Sequence, residues 1–261
     1  MSTEDLRGKI VLVTGGGRGI GSAIALAFAT LGCQVAITGR TQAALDAAAQ
    51  EIGVRGAKVL AVPCDVAQKS QVQDLKLQIA SRLGAVQILV NNAGIAPAAG
   101  FLEMEDRLWE EVLRVNLTGT YNCCKIFLPE MIAARWGRIV NIASTVAKTS
   151  YPNISAYATS KHAVLGLTRS LAVEMAKYGI TVNAICPGYV NTELTQKNAR
   201  LLAEKRNKPI DDALEMLKNA SPQRRLIEPE EVAHLAVVLA SEAAQGMTGQ
   251  AINVDGGAVM V

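Results

Sequence analysis

Apolar residues follow two rhythms along this chain. Short unbroken runs at 9–13, 34–38, 57–62, 86–90, 139–143, 181–186 and 251–254 read as strands. Between them the spacing changes to the helical period. Ile24, Ala25, Leu26, Phe28, Ala29 and Leu31 make one apolar face that stops at Gly32, and 41–52 and 68–83 read as further helices. The stretch 103–135 reads as two helical segments, with Asn116 on an apolar run inside the first; Ala163, Val164, Leu165, Leu167, Leu171 and Ala172 give another helical face. Only 187–225 lacks a clear pattern. It mixes Arg200, Lys205, Arg206, Lys208 and Lys218 with Glu204, Asp211, Asp212 and Glu215, and an irregular stretch of that length predicts a lid or binding loop, at about 191–220; the plainer alternative is that most of these charges only solvate short helices. No repeat, low-complexity tract or linker interrupts the chain, so 1–261 reads as one α/β domain.

Composition narrows the function classes. Half of the 261 residues are apolar, enough for one large core. The net charge is only +3 and no block of Lys and Arg stands out, which argues against nucleic acid as a partner. Glu4, Asp5 and Arg7 stand where a secretory signal would be apolar, and no apolar run approaches the roughly 18 residues of a membrane helix. A cytoplasmic chain with no membrane partner is therefore expected. The five cysteines, Cys33, Cys64, Cys123, Cys124 and Cys186, fit no disulfide framework and read as reduced core thiols. With only His162 and His234, and no paired Cys spacing, no metal site is expected.

Two stretches carry candidate chemistry. In the first, Thr14-Gly15-Gly16-Gly17-Arg18-Gly19-Ile20-Gly21 stands between a strand and a helix. That arrangement suits a pyrophosphate, because glycines let the backbone approach closely and a helix N-terminus presents free N–H groups. An acid about 20 residues further on would bond a ribose 2′-hydroxyl, but Arg40 stands there and the next acid is Asp46. A guanidinium suits a 2′-phosphate, and Arg18 could converge on it, so NADP(H) is favoured over NAD(H). The plainer alternative is that Arg40 caps a solvent-facing turn. Asp65, just after the third strand, either meets the adenine or caps the next helix. Asn91-Asn92-Ala93-Gly94 closes the fourth strand with groups suited to close cofactor contact.

The second stretch is 144–161. Ser144 follows a strand, and Tyr157-x-x-x-Lys161 places a phenol and an ammonium on one helical face. A neighbouring positive charge lowers a phenol's pKa from its usual ~10, so Tyr157 is expected to exchange a proton near neutral pH, with Ser144 bonding the oxygen it acts on. Asn116 reads either as a buried helix–helix bond or as part of a water relay to the lysine.

Taken together, Thr14-Gly15-x-x-x-Gly19-x-Gly21, Asn91-Asn92-Ala93-Gly94, Asn116, Ser144, Tyr157-x-x-x-Lys161 and Pro187-Gly188 resemble the short-chain dehydrogenase/reductase family over nearly the whole chain. The resemblance implies a doubly wound (Rossmann) seven-stranded parallel sheet with helices on both faces, in a homotetramer. It implies Tyr157 as general acid/base, Ser144 as polariser of a carbonyl, Lys161 as the tyrosine's electrostatic partner and ribose ligand, and Asn116 as anchor of a water. Gly15, Arg18, Ile20, Asp65, Val66, Asn92, Val190 and Thr192 fall at positions that touch the cofactor in such proteins, together with Gly19, Gly21, Ala93, Gly94, Pro187 and Gly188.

The implied reaction is hydride transfer between a nicotinamide and a carbonyl or secondary alcohol. The chain looks most like 3-oxoacyl-thioester reductases and type II polyketide ketoreductases, so a 3-oxoacyl thioester on a carrier protein or CoA is the expected substrate. Lys148 and the cations of the lid are the expected partners of its phosphates. A small ketone, sugar or aromatic alcohol is the alternative, and an inactive nucleotide-binding regulator a further one. Carrier-protein reductases place basic residues near Arg135 and near Tyr178; here the second is a tyrosine beside Lys177.

Overall fold

The structure, a computed structural model, describes residues 4–53 and 59–261. Seven parallel strands form one sheet in the order β3-β2-β1-β4-β5-β6-β7. They are β1 (Ile10–Thr14), β2 (Gln34–Gly39), β3 (Val59–Pro63), β4 (Ile88–Asn91), β5 (Gly137–Ile142), β6 (Ile180–Pro187) and β7 (Ala251–Val254). All seven expected strands are present with ends shifted by a residue or two; the expected start of the third, at Ala57, lies outside the described residues. The helices are α1 (Gly19–Thr30), α2 (Gln42–Gly53), α3 (Lys69–Arg82), α4 (Asp106–Leu113), α5 (Gly119–Ala134), α6 (Ser155–Met175), α7 (Glu193–Arg206), α8 (Ile210–Lys218) and α9 (Pro229–Ala240).

The alternation along β1 shows why both faces of the sheet are covered. Val11 and Val13 pack with Ile24 and Phe28 of α1 and with Val232 and Ala236 of α9. Ile10 and Leu12 pack on the opposite side, with Val72, Leu75 and Ile79 of α3 and Cys123 and Phe127 of α5. Each of the Val, Leu, Ile and Phe side chains among them contributes about 1.5–3 kcal/mol through burial. All five cysteines are free and buried, and burial raises the thiol of Cys33 to about 12 and that of Cys64 to about 11. Among the described residues, no helix is long and apolar enough to cross a membrane.

Two expectations change. The stretch after β6 is not a long irregular loop but takes the alternative form of short helices: α7 and α8 pair as a hairpin around Ala199, Ala203 and Ala213. Alanine is a strong helix former, and Thr192 caps α7 by accepting the Thr195 N–H at 3.3 Å. Dense alternating charge concealed that period in the sequence. The second change concerns Asn116, which lies not within a regular helix but in a π-helical turn, Arg114–Thr118, joining α4 to α5. One extra residue per turn there redirects the chain, as such turns often do beside a site.

Candidate active site

In a doubly wound sheet, ligand crevices open at the carboxyl ends of the strands, where the winding reverses. Here β1 and β4 are neighbours at that reversal, and the glycine loop lies between them. Gly15 has φ +65, and a Cβ there would stand 2.8 Å from Asn92 Nδ2; one on Gly21 would stand 2.2 Å from the Gly15 carbonyl. Neither position admits a larger residue. Arg18 occupies the N-cap of α1 without a side-chain capping bond, so the helix presents its first N–H groups to whatever lies above the loop. This donor set fits a pyrophosphate.

Asn92 braces the loop. Its Nδ2 donates to the carbonyls of Thr14 at 3.0 Å and Gly15 at 3.1 Å, while Thr14 Oγ1 accepts the N–H groups of Asn92 and Ala93, each at 3.0 Å. Asp65, read from sequence as an adenine contact or a helix cap, pairs with Arg114 at 3.0 Å and accepts the Ala67 N–H. Its side chain does not cap α3, although its carbonyl accepts the Gln68 N–H. Val66 is buried against the start of α5, where a Cβ on Gly119 would meet it, and Asn122 bonds its carbonyl. Pro187 is buried in the end of β6, the Gly188 N–H bonds Val254, and Val190 pairs with Ile227 as an isolated bridge. Ile20 is half-buried in the first turn of α1. Arg40 is exposed at the end of β2.

Ser144, Tyr157 and Lys161 converge on the β5 edge of the same crevice. Ser144 is buried and accepts the Val146 N–H at 3.3 Å, at the head of a single 3-10 turn, Thr145–Ala147. Lys161 is buried; its Nζ donates to the Ile142 carbonyl at 2.8 Å and lies 5.8 Å from the centre of the Tyr157 ring. A Cβ on Gly94 would sit 3.7 Å from that Nζ and 3.2 Å from Asn116 Oδ1, so the missing side chain keeps the lysine approachable. The Asn116 amide is fully engaged. It bonds both the N–H and the carbonyl of Ile95, at 2.8 and 2.9 Å, and donates to Ser160 Oγ at 2.9 Å. Ser160 in turn donates to the Tyr157 carbonyl at 2.7 Å. The sequence reading missed this serine, though its place beside Lys161 and one turn after Tyr157 was the available signal.

The electrostatics correct one expectation. Tyr157 keeps some exposed surface, but protein atoms crowded round its hydroxyl raise the phenol above its ordinary pKa; a hydrogen bond from Ser144 pulls the other way. Burial, not Lys161, dominates. The phenol therefore stays protonated at neutral pH and is set to donate. Burial also lowers Lys161 to about 8. That shift has a stability consequence. Below pH 8 the ammonium is held in a dry site at a cost; between 8 and 10.5 the folded chain has released the proton while the unfolded chain still binds it, so stability rises with pH across that window. Lys161→Met is accordingly expected to raise the pH 7 stability by about 1–3 kcal/mol, with the gain shrinking from pH 8 to 10.5. Chemical denaturation of both proteins across that range measures it, and a loss of stability at pH 7 would refute the cost.

Lys148, expected at the phosphates, and Arg135 and Lys177, at the positions of carrier-protein docking, have partners within the chain. Lys148 Nζ donates to the oxygens of Ala251 and Val261, each at 2.7 Å, tying the turn behind Ser144 to β7 and the tail. Arg135 ends α5 and Lys177 precedes β6, so both lie at the edge of the sheet opposite Ser144; Arg135 donates to the Lys177 carbonyl at 2.9 Å. In the hairpin, Lys218 pairs with Glu215 at 2.6 Å and Arg206 bonds Met216 Sδ, while the Lys205 side chain lies outside the described set.

A serine, a phenol and a lysine beside a glycine-lined phosphate cradle define a nicotinamide-dependent oxidoreductase site on a doubly wound sheet. The family model described as short chain dehydrogenase matches residues 9–202. The chain belongs to that family and is an NAD(P)-dependent oxidoreductase acting on CH–OH or carbonyl groups. It is 40% identical over 253 residues to a 3-oxoacyl-acyl-carrier-protein reductase of Aquifex aeolicus, covering 97% of this chain and 98% of that one. It is 38% identical over 255 residues to a D-beta-hydroxybutyrate dehydrogenase of Cupriavidus necator, with the same coverages. A crystal structure of an actinorhodin polyketide ketoreductase variant with NADPH superimposes with a TM-score of 0.94 at 35% identity, covering 99% of both chains.

Proposed function

We propose that this protein is a cytoplasmic, homotetrameric reductase that uses NADP(H) in preference to NAD(H) to convert a 3-oxoacyl compound, first of all a thioester, to its 3-hydroxy product. The observation that carries the reading is the joint position of Ser144, Tyr157 and Lys161 beside the glycine cradle. The relative named as a 3-oxoacyl-acyl-carrier-protein reductase supports the acyl group, and the NADPH of the ketoreductase structure supports the coenzyme.

The bound dinucleotide supplies the hydride. Gly15, Gly19, Ile20, Gly21 and the open end of α1 would hold its pyrophosphate, with Arg40 and Arg18 at the 2′-phosphate and Asp65 and Val66 on the adenine side. Asn92, Ala93, Gly94 and Lys161 would flank the second ribose, and Pro187, Gly188, Val190 and Thr192 the nicotinamide. Tyr157, kept protonated by burial, gives its proton to the carbonyl oxygen as negative charge builds there, and Ser144 Oγ donates a hydrogen bond to the same oxygen. Lys161 holds a positive charge beneath the phenol at neutral pH and stabilises the tyrosinate left behind. Asn116 fixes the loop after β4 against α6 through Ile95 and Ser160, and its turn is where a water feeding protons to Lys161 would anchor. The α7–α8 hairpin acts as the lid.

A matched series tests the substrate. A 3-oxoacyl CoA thioester, its simple ester and the free 3-oxo acid share one reacting carbonyl. With NADPH at low salt the thioester is expected to give the highest kcat/KM, by about tenfold or more, which is ~1.4 kcal/mol of added transition-state binding. Equal rates for ester and thioester would reduce the reading to a general carbonyl reductase. A preference for the free acid would move it to a small 3-hydroxy acid dehydrogenase, the reading that the Cupriavidus relative favours.

A further inference from the structure

The first residue of α7 stands over the glycine loop. Glu193 Oε2 lies 3.7 Å from Arg18 Nη1, and both side chains are largely exposed, at 79% and 77%. The contact is not confined to the charges, because a Cβ on Gly19 would stand 3.2 Å from Thr192 Cγ2. The hairpin therefore starts against the loop whose N–H groups face the dinucleotide, and it does so through a carboxylate. Such a pair in open water adds little to stability, and Glu193 also sits at a helix N-terminus, where its charge is favoured without Arg18. Its effect falls instead on the cation it occupies.

We propose that Glu193 is a specificity-determining residue for the coenzyme, competing with the 2′-phosphate for Arg18; this rests on the NADP(H) reading above. A phosphate dianion is a stronger partner for a guanidinium than a single carboxylate. When the dianion arrives, Arg18 is surrendered and Glu193 is left beside a like charge. The carboxylate thus weakens phosphate-bearing coenzyme selectively, and it makes the anchoring of the lid helix respond to which coenzyme is bound. NADH has no 2′-phosphate, so it leaves the Arg18–Glu193 pair in place.

The test uses the full chain and its Glu193→Gln variant, with NADPH and NADH affinities measured by fluorescence titration at low and high salt. In the variant the NADPH Kd is expected to fall about three- to fivefold at low salt, with the NADH Kd changed less than about 1.5-fold; the gain disappears at about 0.5 M salt, where exposed charges are screened. A double variant that also carries Arg18→Met shows no gain from Glu193→Gln, since the competition has been removed. An unchanged or raised NADPH Kd overturns the inference, and so does an equal gain for both coenzymes, which would put Arg18 on a group they share. If the unaltered protein binds NADH as tightly as NADPH, the coenzyme reading itself fails and the inference falls with it. A clear NADPH preference in the unaltered protein, combined with no effect of Glu193→Gln, sinks the inference alone.

Discussion

Tyr157→Phe is expected to lower kcat/KM by about three orders of magnitude, a loss of ~4 kcal/mol in transition-state stabilisation, while NADPH affinity and melting temperature stay close to wild type. The ring keeps its packing; only the hydroxyl goes. That hydroxyl is the group whose proton neutralises the developing oxyanion, and burial keeps it protonated at neutral pH. Ser144 alone can still donate a hydrogen bond, so a residual rate should survive, insensitive to pH across the range in which the phenol would titrate. Steady-state kinetics on a 3-oxo substrate, with coenzyme titration as the control, decide the matter. A variant that keeps more than about a tenth of the wild-type rate has lost under ~1.4 kcal/mol, too little for a proton donor.

Arg40→Asp is expected to reverse the coenzyme preference, changing the NADPH-to-NADH ratio of kcat/KM by about a hundredfold or more. Removing one charge-assisted bond costs about 1.5–3 kcal/mol. The new carboxylate adds repulsion toward a 2′-phosphate and accepts a bond from a bare 2′-hydroxyl. Arg40 is exposed at the carboxyl end of β2 and makes no ion pair among the described residues. Its substitution should therefore leave the fold undisturbed, and equal ratios before and after would remove Arg40 from the coenzyme site.

The parts of the site legible in the sequence are those fixed by local periodicity. A strand, a glycine loop and a helix follow one another directly in 10–30, and the helical period alone puts Tyr157 and Lys161 on one face. What escaped depends on partners far along the chain. Asn92 spends its amide on Thr14 and Gly15 because β4 lies beside β1, an adjacency set by the sheet order. Asp65 is claimed by Arg114, and Lys148 by oxygens of Ala251 and Val261. The direction of the Tyr157 shift was misread for a related reason. A charge four residues away is visible in sequence, whereas the crowd of atoms that desolvates the hydroxyl is assembled from several elements. Short charged helices were one reading of 191–220, but their pairing into a hairpin was not legible, because its fully buried positions are alanines and Leu202, Ile210, Leu214 and Leu217 are only partly buried among so many charges.

That alanine core also sets how the protein comes apart. Ala199, Ala203 and Ala213, with the partly buried Leu202, Ile210, Leu214 and Leu217 packed against them, form a cluster separate from the two larger ones that cover the sheet, and so few side chains hold much less free energy in reserve than the main core. Opening of the hairpin therefore requires only a small part of the free energy of global unfolding, and the amides of α7 and α8 should exchange with solvent as one early cooperative unit, well before those of β1, β4 and β5. Both ends of the hairpin are fastened at one place, where Val190 bridges Ile227 and the Asn191 N–H bonds the Ile227 carbonyl at 2.8 Å. Between those fasteners Thr192 and Glu193 meet the glycine loop, and Ser221, Pro222 and Gln223 lie beside Gly256 and Gly257; the helical residues between those contacts can change in length or composition with little effect on the sheet.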